Sequence, residues 1–400
     1  MITRDLLEKV IDDQQNFVDY PPVIPRTMIL PEKSKQAIII TGIRRCGKST
    51  FLRKTIGNKP ESLYISFEDP RLEGFELSDF HKIENLGKQT KKTHFIFDEI
   101  QNINDWEKYI RSANERGIPV FLTGSNASLM SRELGTRLTG RSKQFELFPF
   151  NYQEYLNYTR NSPGSKSLNQ FLESGGFPEY LRDKDDSYLR QLLKDIIIRD
   201  IAVRRNIRNE HIVTRLAVHL LSNVGKEFSY NNITRLLEIN SIRSTIDYCD
   251  YLAESYLVEL IPMYSTSIKK QIANPKKAYS LDNGLARANS LSFSEDRGRM
   301  LENSIYQHIR RAHHDIMYHK TPKSECDFLI REQDKILMAI QACWHVNEDN
   351  IQREANGIKN AMKETQARKG IIVTFDQEDQ LDGIKLIPAW KWLQSVSFGI

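Results

Sequence analysis

The sequence contains only four cysteines, Cys46, Cys249, Cys326 and Cys343, and no two of them are spaced as Cys-x-x-Cys. Such spacing suggests neither a zinc site nor a redox-active dithiol pair. No apolar run approaches the roughly 18 residues that a membrane span requires. The first segment, MITRDLLEKVIDDQQNF, combines an amphipathic helical pattern with acidic residues, unlike a secretory signal. We therefore expect a cytoplasmic protein with reduced thiols and no membrane partner.

A strong excess of charge is also missing, since the net charge is only +5 over 400 residues. This small excess permits contact with nucleic acid but does not argue for it, because basic residues are informative only where they cluster. Hydrophobic residues make up 40% and charged residues 27%, the balance of a soluble globular protein. The length predicts two to three domains, and the sequence shows no internal repeat or low-complexity tract.

Between residues 36 and 148, short apolar runs alternate with helical patterns. Helices are predicted to begin near Lys48, Asp79, Asn104 and Ala127. The predicted strands are AIIIT (37–41), SLYISF (62–67), HFIFD (94–98), PVFLTG (119–124) and KQFELF (143–148). Continuous apolar strands separated by helices indicate a parallel sheet with helices on both faces.

Residues 42–49, GIRRCGKS, match the phosphate-binding pattern G-x-x-x-x-G-K-[ST] in full, after a predicted strand and at the start of a helix. Gly42 and Gly47 allow the backbone to wrap closely around a phosphate, and the helix N-terminus adds partial positive charge. Lys48 is predicted to contact the β- and γ-phosphates, and Ser49 to ligate Mg²⁺. The predicted nucleotide-binding residues are Gly42, Ile43, Arg44, Arg45, Cys46, Gly47, Lys48, Ser49 and Thr50.

The run HFIFDE ends in two acids, about fifty residues after the phosphate loop. In P-loop nucleotide hydrolases, an Asp at this position completes the Mg²⁺ shell, which predicts that role for Asp98. The following Glu99 is predicted to act as general base on the attacking water. An Asp-Glu pair favours hydrolysis over phosphoryl transfer to a metabolite.

The next strand ends in TGSN, where Ser125 and Asn126 are candidates to hold the water or the γ-phosphate. The alternative is that they cap the following helix. In the segment GTRLTGR, Arg137 or Arg141 can approach the γ-phosphate as an arginine finger, within one chain or from a neighbouring copy. The alternative here is a solvated basic loop. With Lys48 and Glu99, these residues complete the predicted catalytic set.

Taken together, these segments resemble a known family. GIRRCGKST, FIFDEIQNINDWE, FLTGSNASLM, LTGR, FELFPFNYQEY and GGFPEYL follow in the order seen in a family of prokaryotic AAA+-like ATPases. Those proteins carry a C-terminal domain of unknown function, which LLKDIIIRDI, YLAESYLVELIPMYS and KKAYSLDNGLA also resemble. The resemblance covers nearly the whole chain.

The resemblance implies a multidomain α/β chain with ATP and Mg²⁺ as cofactors. It implies an ASCE-type P-loop ATPase domain with a helical extension (1–205), a winged-helix domain (206–290) and a nuclease-like α/β domain (291–400). Arg26 matches a recurrent arginine of the family, which implies a place near the nucleotide. The resemblance implies no known biological role.

Residues 228–255 have the pattern of a helix-turn-helix, whose second helix can enter the major groove of DNA. This helix carries Arg243 but also Asp247, Asp250 and Glu254. Since carboxylates are repelled by phosphates, we expect a poor groove reader.

The hairpin predicted after the helix-turn-helix is more basic, because it carries Lys269, Lys270, Lys276 and Lys277. A lysine-bearing wing can hold DNA or RNA phosphates without reading sequence. The alternatives are a solvated turn and a winged helix that serves to pack domains together. We favour the packing role.

Glu302 on a predicted helix, Asp327 on one strand and Gln341 on the next follow the order of acids in PD-(D/E)xK nucleases. In active members the acids ligate Mg²⁺ and a lysine assists the water. Here Gln341 brings no charge and Cys343 stands in place of the lysine. Mg²⁺ prefers carboxylates and waters, so two acids alone would bind it weakly. We therefore predict a nuclease-like fold without catalysis.

Two functional hypotheses follow from these patterns. The first is an ATPase that acts as a molecular switch on the winged-helix and nuclease-like modules. The second is an ATP-regulated protein that binds or cleaves nucleic acid. A protein partner and an oligomer are compatible with both.

Overall fold

The computed structural model describes residues 2–15, 24–31, 34–124, 138, 140–291 and 296–395. The chain forms two compact units, Met1–Phe148 and Pro149–Ile400. We predicted a first domain that reaches residue 205, but the structure places the helices after residue 148 in the second unit. Arg287 shows why, because its guanidinium forms an ion pair with Asp186 in one of those helices.

The first unit contains four α-helices and five strands among its described residues. The helices are α1 (Arg4–Gln15), α2 (Lys48–Leu52), α3 (Phe80–Gln89) and α4 (Trp106–Glu115). The strands are β1 (Ala37–Thr41), β2 (Ser62–Ser66), β3 (His94–Asp98), β4 (Val120–Thr123) and β5 (Ser142–Glu146). The strands agree with the predicted ones, whereas the helix predicted near Ala127 lies outside the described residues.

The five strands form one parallel sheet in the order β2-β3-β4-β1-β5. β4 therefore lies between β1 and β3, and the carboxyl ends of all three strands meet at one edge of the sheet. Alternate residues of the strands pack with α1, α3 and α4 in a core in which Phe80 stacks on Tyr109 at 4.1 Å between ring centroids. This edge carries the phosphate loop and the two predicted acids.

Edge strand β2 is covered by side chains of α1. Gln14 accepts a hydrogen bond from the Ser66 N–H at 2.7 Å and donates to the Ser66 carbonyl at 3.2 Å. Gln15 donates to the Ser62 carbonyl at 2.9 Å. These bonds satisfy backbone groups that an open sheet edge would expose to other chains.

The second unit begins with helices and continues with two further sheets. Its helices are Tyr152–Thr159, Ser165–Ser174, Pro178–Asp183, Asp186–Asp195 (extended by a π-helical stretch to Arg205), Glu210–Ser222, Tyr230–Leu236, Ile242–Glu254, Ile268–Ala273, Asn283–Asn289, Arg297–Arg310, Ile351–Thr365 and Ala389–Trp392. Its strands are β6 (Glu227–Phe228), β7 (Val258–Pro262), β8 (Lys276–Ser280), β9 (Ile316–Lys320), β10 (Glu325–Glu332), β11 (Lys335–Cys343), β12 (Lys369–Thr374), β13 (Asp379–Leu381) and β14 (Ile384–Pro388).

Strands β6, β8 and β7 form a small antiparallel sheet, and the other six strands form a sheet in the order β13-β14-β12-β11-β10-β9. The predicted lysine-rich hairpin contains a short helix, Ile268–Ala273, between β7 and β8. None of the helices that the structure describes is long and apolar enough to span a membrane.

Candidate functional site

The phosphate loop follows β1 directly, and its glycines occupy positions that other residues cannot easily take. Gly42 has a φ of 145°, and a Cβ at this position would lie 2.0 Å from the Leu147 carbonyl oxygen. Gly47 has a φ of 98° and precedes the first residue of α2. Both values belong to the region that favours glycine. The local sequence therefore determines the close wrapping of this loop.

Lys48 is almost fully buried at the start of α2, with 4% of its surface exposed. Its Nζ donates hydrogen bonds to the carbonyl oxygens of Gly42 and Ile43, each at 3.0 Å. The ammonium group is thus held inside the loop that was predicted to surround the phosphates.

Asp98, the last residue of β3, lies beside Ser49. The Ser49 hydroxyl donates to Asp98 Oδ1 at 2.9 Å, so the two predicted Mg²⁺ ligands are in direct contact. Two further hydroxyls hold the carboxylate: Tyr64 donates to Oδ2 at 2.5 Å, and Thr123 donates to Oδ1. An all-oxygen pair at the end of a phosphate loop fits the ligand preference of Mg²⁺.

Glu99 follows Asp98 with a φ of 52°, and 8% of its surface is exposed. Its N–H donates to the Thr123 hydroxyl at 3.1 Å, and its carboxylate accepts a hydrogen bond from Gln101. Burial raises the pKa of Glu99, while the nearby positive charge of Lys48 opposes this rise. The pKa therefore moves in the direction that suits a general base.

Thr123 and Tyr64 were not found from the sequence. Thr123 ends β4, the strand between β1 and β3, and its hydroxyl contacts both Asp98 and Glu99. The signal that could have indicated Thr123 is a polar residue at the end of an apolar strand. Ser125 and Asn126 lie outside the described residues, and their roles stay predictions.

The other predicted nucleotide-binding residues lie in or next to the phosphate loop. Arg44 lies 3.9 Å from Glu68, and Arg45 adopts a φ of 66°. The buried Cys46 thiol donates to the Leu147 carbonyl at 3.2 Å. Thr50 lies in the first turn of α2 and is half-buried.

Arg26 lies beside the loop, as the resemblance implied. Its guanidinium donates to the Cys46 carbonyl at 3.1 Å and to the Phe148 carbonyl. It therefore ties the phosphate loop to the segment that follows β5.

Arg141 does not lie near the phosphate loop of its own chain. It precedes β5 and its carbonyl accepts from the N–H of Ala37, the first residue of β1, whereas the phosphate loop follows the last residue of β1. The two ends of this five-residue strand are about 13 Å apart at about 3.3 Å per residue. Its side chain pairs with Glu115 at 3.2 Å. The prediction of an arginine finger within one chain is thus wrong for Arg141, and Arg137 lies outside the described residues.

In the second unit, the predicted nuclease-like residues Glu302 and Asp327 do converge, but on a lysine. Lys277 Nζ lies 3.5 Å from Glu302 Oε1 and 3.1 Å from Asp327 Oδ1. Glu325, which we did not single out, is 2.8 Å away. Among the described residues, no group of three or more His, Cys, Asp or Glu side chains could hold a metal ion.

Gln341 and Cys343 contribute no charge to this cluster. Gln341 Oε1 accepts from the Asp327 N–H at 3.2 Å. Cys343 is buried in the apolar core beneath the sheet, and burial raises the pKa of its thiol to about 11. It is therefore a neutral core residue at physiological pH.

Two of the four lysines predicted to form a basic wing are not available to nucleic acid. Lys277 is 3% exposed, and Lys276 Nζ donates to the backbone carbonyls of Gln271 and Ile272. Lys269 and Lys270 are exposed. The predicted wing thus exposes fewer lysines than its sequence indicates.

In the predicted groove-reading helix, Ile242–Glu254, the basic residue Arg243 has an acidic partner in the same helix. Arg243 pairs with Asp247 at 3.1 Å. Burial raises the pKa of Asp250, and the neighbouring carboxylates of Glu254 and Asp247 add to the rise. That this helix reads DNA poorly stays a prediction.

The chain matches two family models. The first, described as an AAA domain, matches residues 34–156 and contains the phosphate loop and both acids. The second, described as a domain of unknown function (DUF8612), matches residues 165–296. At the level of the family, the first match identifies a P-loop ATPase domain.

Two relatives are similar over most of their length. "Uncharacterized protein MJ1544" of Methanocaldococcus jannaschii is 33% identical over 432 aligned positions, which cover 98% of this chain and 96% of that protein. An uncharacterized protein of Haemophilus influenzae is 26% identical over 379 positions, which cover 89% of this chain and 93% of that protein.

Among solved structures, the Orc1 protein of Aeropyrum pernix in complex with DNA is 12% identical. The similarity covers 72% of this chain and 92% of that chain, with a TM-score of 0.26. A TM-score this low carries no inference about function.

Proposed function

Since the chain belongs to the family of the Methanocaldococcus jannaschii protein MJ1544 and carries an AAA domain, we propose that it binds ATP with Mg²⁺ and hydrolyses it. The observation that carries the proposal is the contact between Ser49 and Asp98 beside the buried Lys48. Glu99 follows directly and is buried at the same edge of the sheet.

Each residue has a distinct role in this proposal. Lys48, which donates to two neutral carbonyls, would donate instead to the β- and γ-phosphate oxygens, because charged acceptors form stronger hydrogen bonds. Ser49 and Asp98 would hold Mg²⁺, which neutralises charge on the phosphates. Arg26 holds the loop through the Cys46 carbonyl.

Glu99 is the proposed general base for the chemical step. It takes a proton from water as the water oxygen forms a bond to the γ-phosphorus. The bond from this phosphorus to the bridging oxygen breaks, and ADP leaves with that oxygen. The Thr123 hydroxyl fixes the Glu99 backbone and the Asp98 carboxylate together.

The test compares three variants with the unmodified protein in an ATP turnover assay and in equilibrium binding of a fluorescent ATP analogue. Lys48→Ala should lose binding and turnover. Glu99→Gln should keep binding but lower turnover by about 100-fold or more, since general bases contribute about 10²–10⁴-fold. Arg4→Ala, which removes an exposed ion pair with Glu8, is the control. Full turnover in the Lys48 or Glu99 variant would contradict the proposal.

We further propose that the second unit consists of a winged helix and a nuclease-like module, and that hydrolysis acts as a switch on them. The order of elements supports the winged helix: helix Glu210–Ser222, strand β6, two further helices and the pair β7 and β8. The order helix Arg297–Arg310, β9, β10 and β11 supports the nuclease-like module. Limited proteolysis of the second unit should differ between the ATP-bound Glu99→Gln protein and the nucleotide-free protein, and identical patterns would argue against a switch.

Nucleic-acid binding is the second candidate function. The observation that favours it is the exposed pair Lys269 and Lys270 between β7 and β8. Binding through phosphates weakens steeply as salt is raised from about 50 to 200 mM. Fluorescence anisotropy with duplex DNA should therefore show a salt-dependent affinity that Lys269→Gln/Lys270→Gln reduces. An unchanged affinity would exclude this surface.

A further inference from the structure

Lys277 lies in β8, where its side chain is enclosed by three carboxylates from two other elements. Glu302 comes from helix Arg297–Arg310, and Glu325 and Asp327 come from β10. The Nζ atom lies 2.8 Å from Glu325, 3.1 Å from Asp327 and 3.5 Å from Glu302. With 3% of its side chain exposed, the ammonium has little access to water.

The carboxylate oxygens of the cluster have additional donors from the chain itself. Asp327 Oδ2 accepts from the Ala342 N–H at 3.0 Å. The Tyr279 hydroxyl donates to Glu302 Oε1 at 2.6 Å. Lys320 lies 3.5 Å from Glu325. Both oxygens of Asp327 are thus engaged, one by Lys277 and one by the backbone.

An ammonium group buried in this way is stable only if it is paired and hydrogen-bonded. The carboxylates have the same requirement, since an unpaired buried charge costs several kcal/mol. Lys277 therefore gives each of the three acids a cationic partner, and Lys320 provides a second positive charge beside Glu325. A divalent cation at this point would require oxygen ligands at about 2.0–2.6 Å, in the space that the ammonium fills.

We propose that the Lys277 ammonium is the built-in cation of this carboxylate cluster, so that the cluster binds no divalent metal and fastens β8 to helix Arg297–Arg310 and β10. In this arrangement the nuclease-like topology is kept without metal-dependent phosphodiester cleavage. The proposal does not depend on ATP hydrolysis, because all of its residues belong to the second unit.

The other interpretation is that Lys277 assists catalysis at a metal held by the same acids. The two interpretations differ in a direct measurement. If Lys277 assists catalysis, the carboxylate cluster takes up Mn²⁺. If Lys277 is the built-in cation, the cluster does not take up Mn²⁺.

The first experiment titrates Mn²⁺ into nucleotide-free protein and measures free Mn²⁺ by electron paramagnetic resonance. Asp98→Asn serves as the background, since it removes a ligand of the proposed nucleotide-site metal. We expect no bound Mn²⁺ at about 1 mM, the upper range of weak sites. Binding that disappears when Asp327→Asn is added would overturn the proposal, as would Mn²⁺-dependent DNA cleavage with the same dependence.

The second experiment measures thermal unfolding of Lys277→Met and of the control Lys270→Met, which removes an exposed lysine from the neighbouring helix. Lys277→Met should lower the unfolding midpoint by about 6 °C or more, because it leaves buried carboxylates unpaired. The double variant Lys277→Met/Asp327→Asn should recover part of this loss. We expect the same recovery if Lys277→Met alone fails to fold. Equal midpoints for Lys277→Met and Lys270→Met would contradict the proposal.

Discussion

At the scale of single residues, the Asp98 carboxylate is held by several hydrogen bonds in the proposed nucleotide site. Its two carboxylate oxygens accept hydrogen bonds from three hydroxyls, those of Ser49, Thr123 and Tyr64. Tyr64 is itself held, because the Arg53 guanidinium lies 3.7 Å from the centre of its ring. Hydrogen bonds to a charged acceptor are stronger than those between neutral groups. The orientation of the Asp98 carboxylate is therefore fixed by Tyr64 in β2 as well as by Ser49 at the end of the phosphate loop.

Replacing Tyr64 with Phe removes one of these hydroxyls and keeps the ring. A hydrogen bond to a charged group contributes about 1.5–3 kcal/mol, so the Asp98 carboxylate should be held less firmly. We expect the Mg²⁺ concentration for half-maximal ATP turnover to rise by about tenfold, with a smaller change in the KM for ATP.

Tyr152→Phe is the matched control for Tyr64→Phe. Tyr152 is also buried, and its hydroxyl bonds to Ser167 in the second unit. An Mg²⁺ dependence of Tyr64→Phe that equals that of Tyr152→Phe and of the unmodified protein would show that Tyr64 has no positioning role.

At the scale of elements, the sequence predicted the strands and the phosphate loop because both have local signatures. Apolar runs identify β1 to β5, and the glycine pattern identifies the loop. The contacts of a side chain at the end of a strand are not a local property, so the hydrogen bonds of Thr123 with Asp98 and Glu99 could not be deduced. The same holds for Lys277, whose neighbours Glu302 and Asp327 are 25 and 50 residues away in the chain.

The junction of β1 and α2 gives a prediction at this scale. A Cβ on residue 42 would lie 2.0 Å from the Leu147 carbonyl oxygen, so Gly42→Ala must separate the loop from the end of β5. Backbone strain of this kind costs about 1–3 kcal/mol. We expect Gly42→Ala to weaken binding of the ATP analogue by at least about tenfold and to lower the unfolding midpoint.

Gly140→Ala is the control for Gly42→Ala, since Gly140 has a φ of 71° and a Cβ added there would meet no other atom within 4 Å. It shares the strain of a left-handed backbone but not the clash with β5. If both variants bind the analogue equally well, the close approach of Gly42 to the Leu147 carbonyl is not required for nucleotide binding.

At the scale of the whole molecule, the position of Arg141 bears on whether catalysis requires association of two copies of the chain. Arg141 lies at the amino end of β5, while the phosphate loop lies at the carboxyl end of β1, its parallel neighbour. A side chain there can reach a γ-phosphate only in another copy of the chain. Among the two arginines predicted as fingers, Arg141 is therefore a candidate only within an oligomer.

Arg141→Ala should lower ATP turnover only at protein concentrations at which copies associate. Removal of an arginine finger costs about 10³–10⁵-fold in rate where it acts. Turnover per chain of the unmodified protein should rise with concentration, and that of Arg141→Ala should not. A mixture of Arg141→Ala and Lys48→Ala should regain activity, because the Lys48→Ala copy supplies Arg141 to the intact phosphate loop of the Arg141→Ala copy.

A loss in Arg141→Ala that is independent of concentration would show that Arg141 acts within its own chain. No loss at any concentration would show that another group neutralises the γ-phosphate.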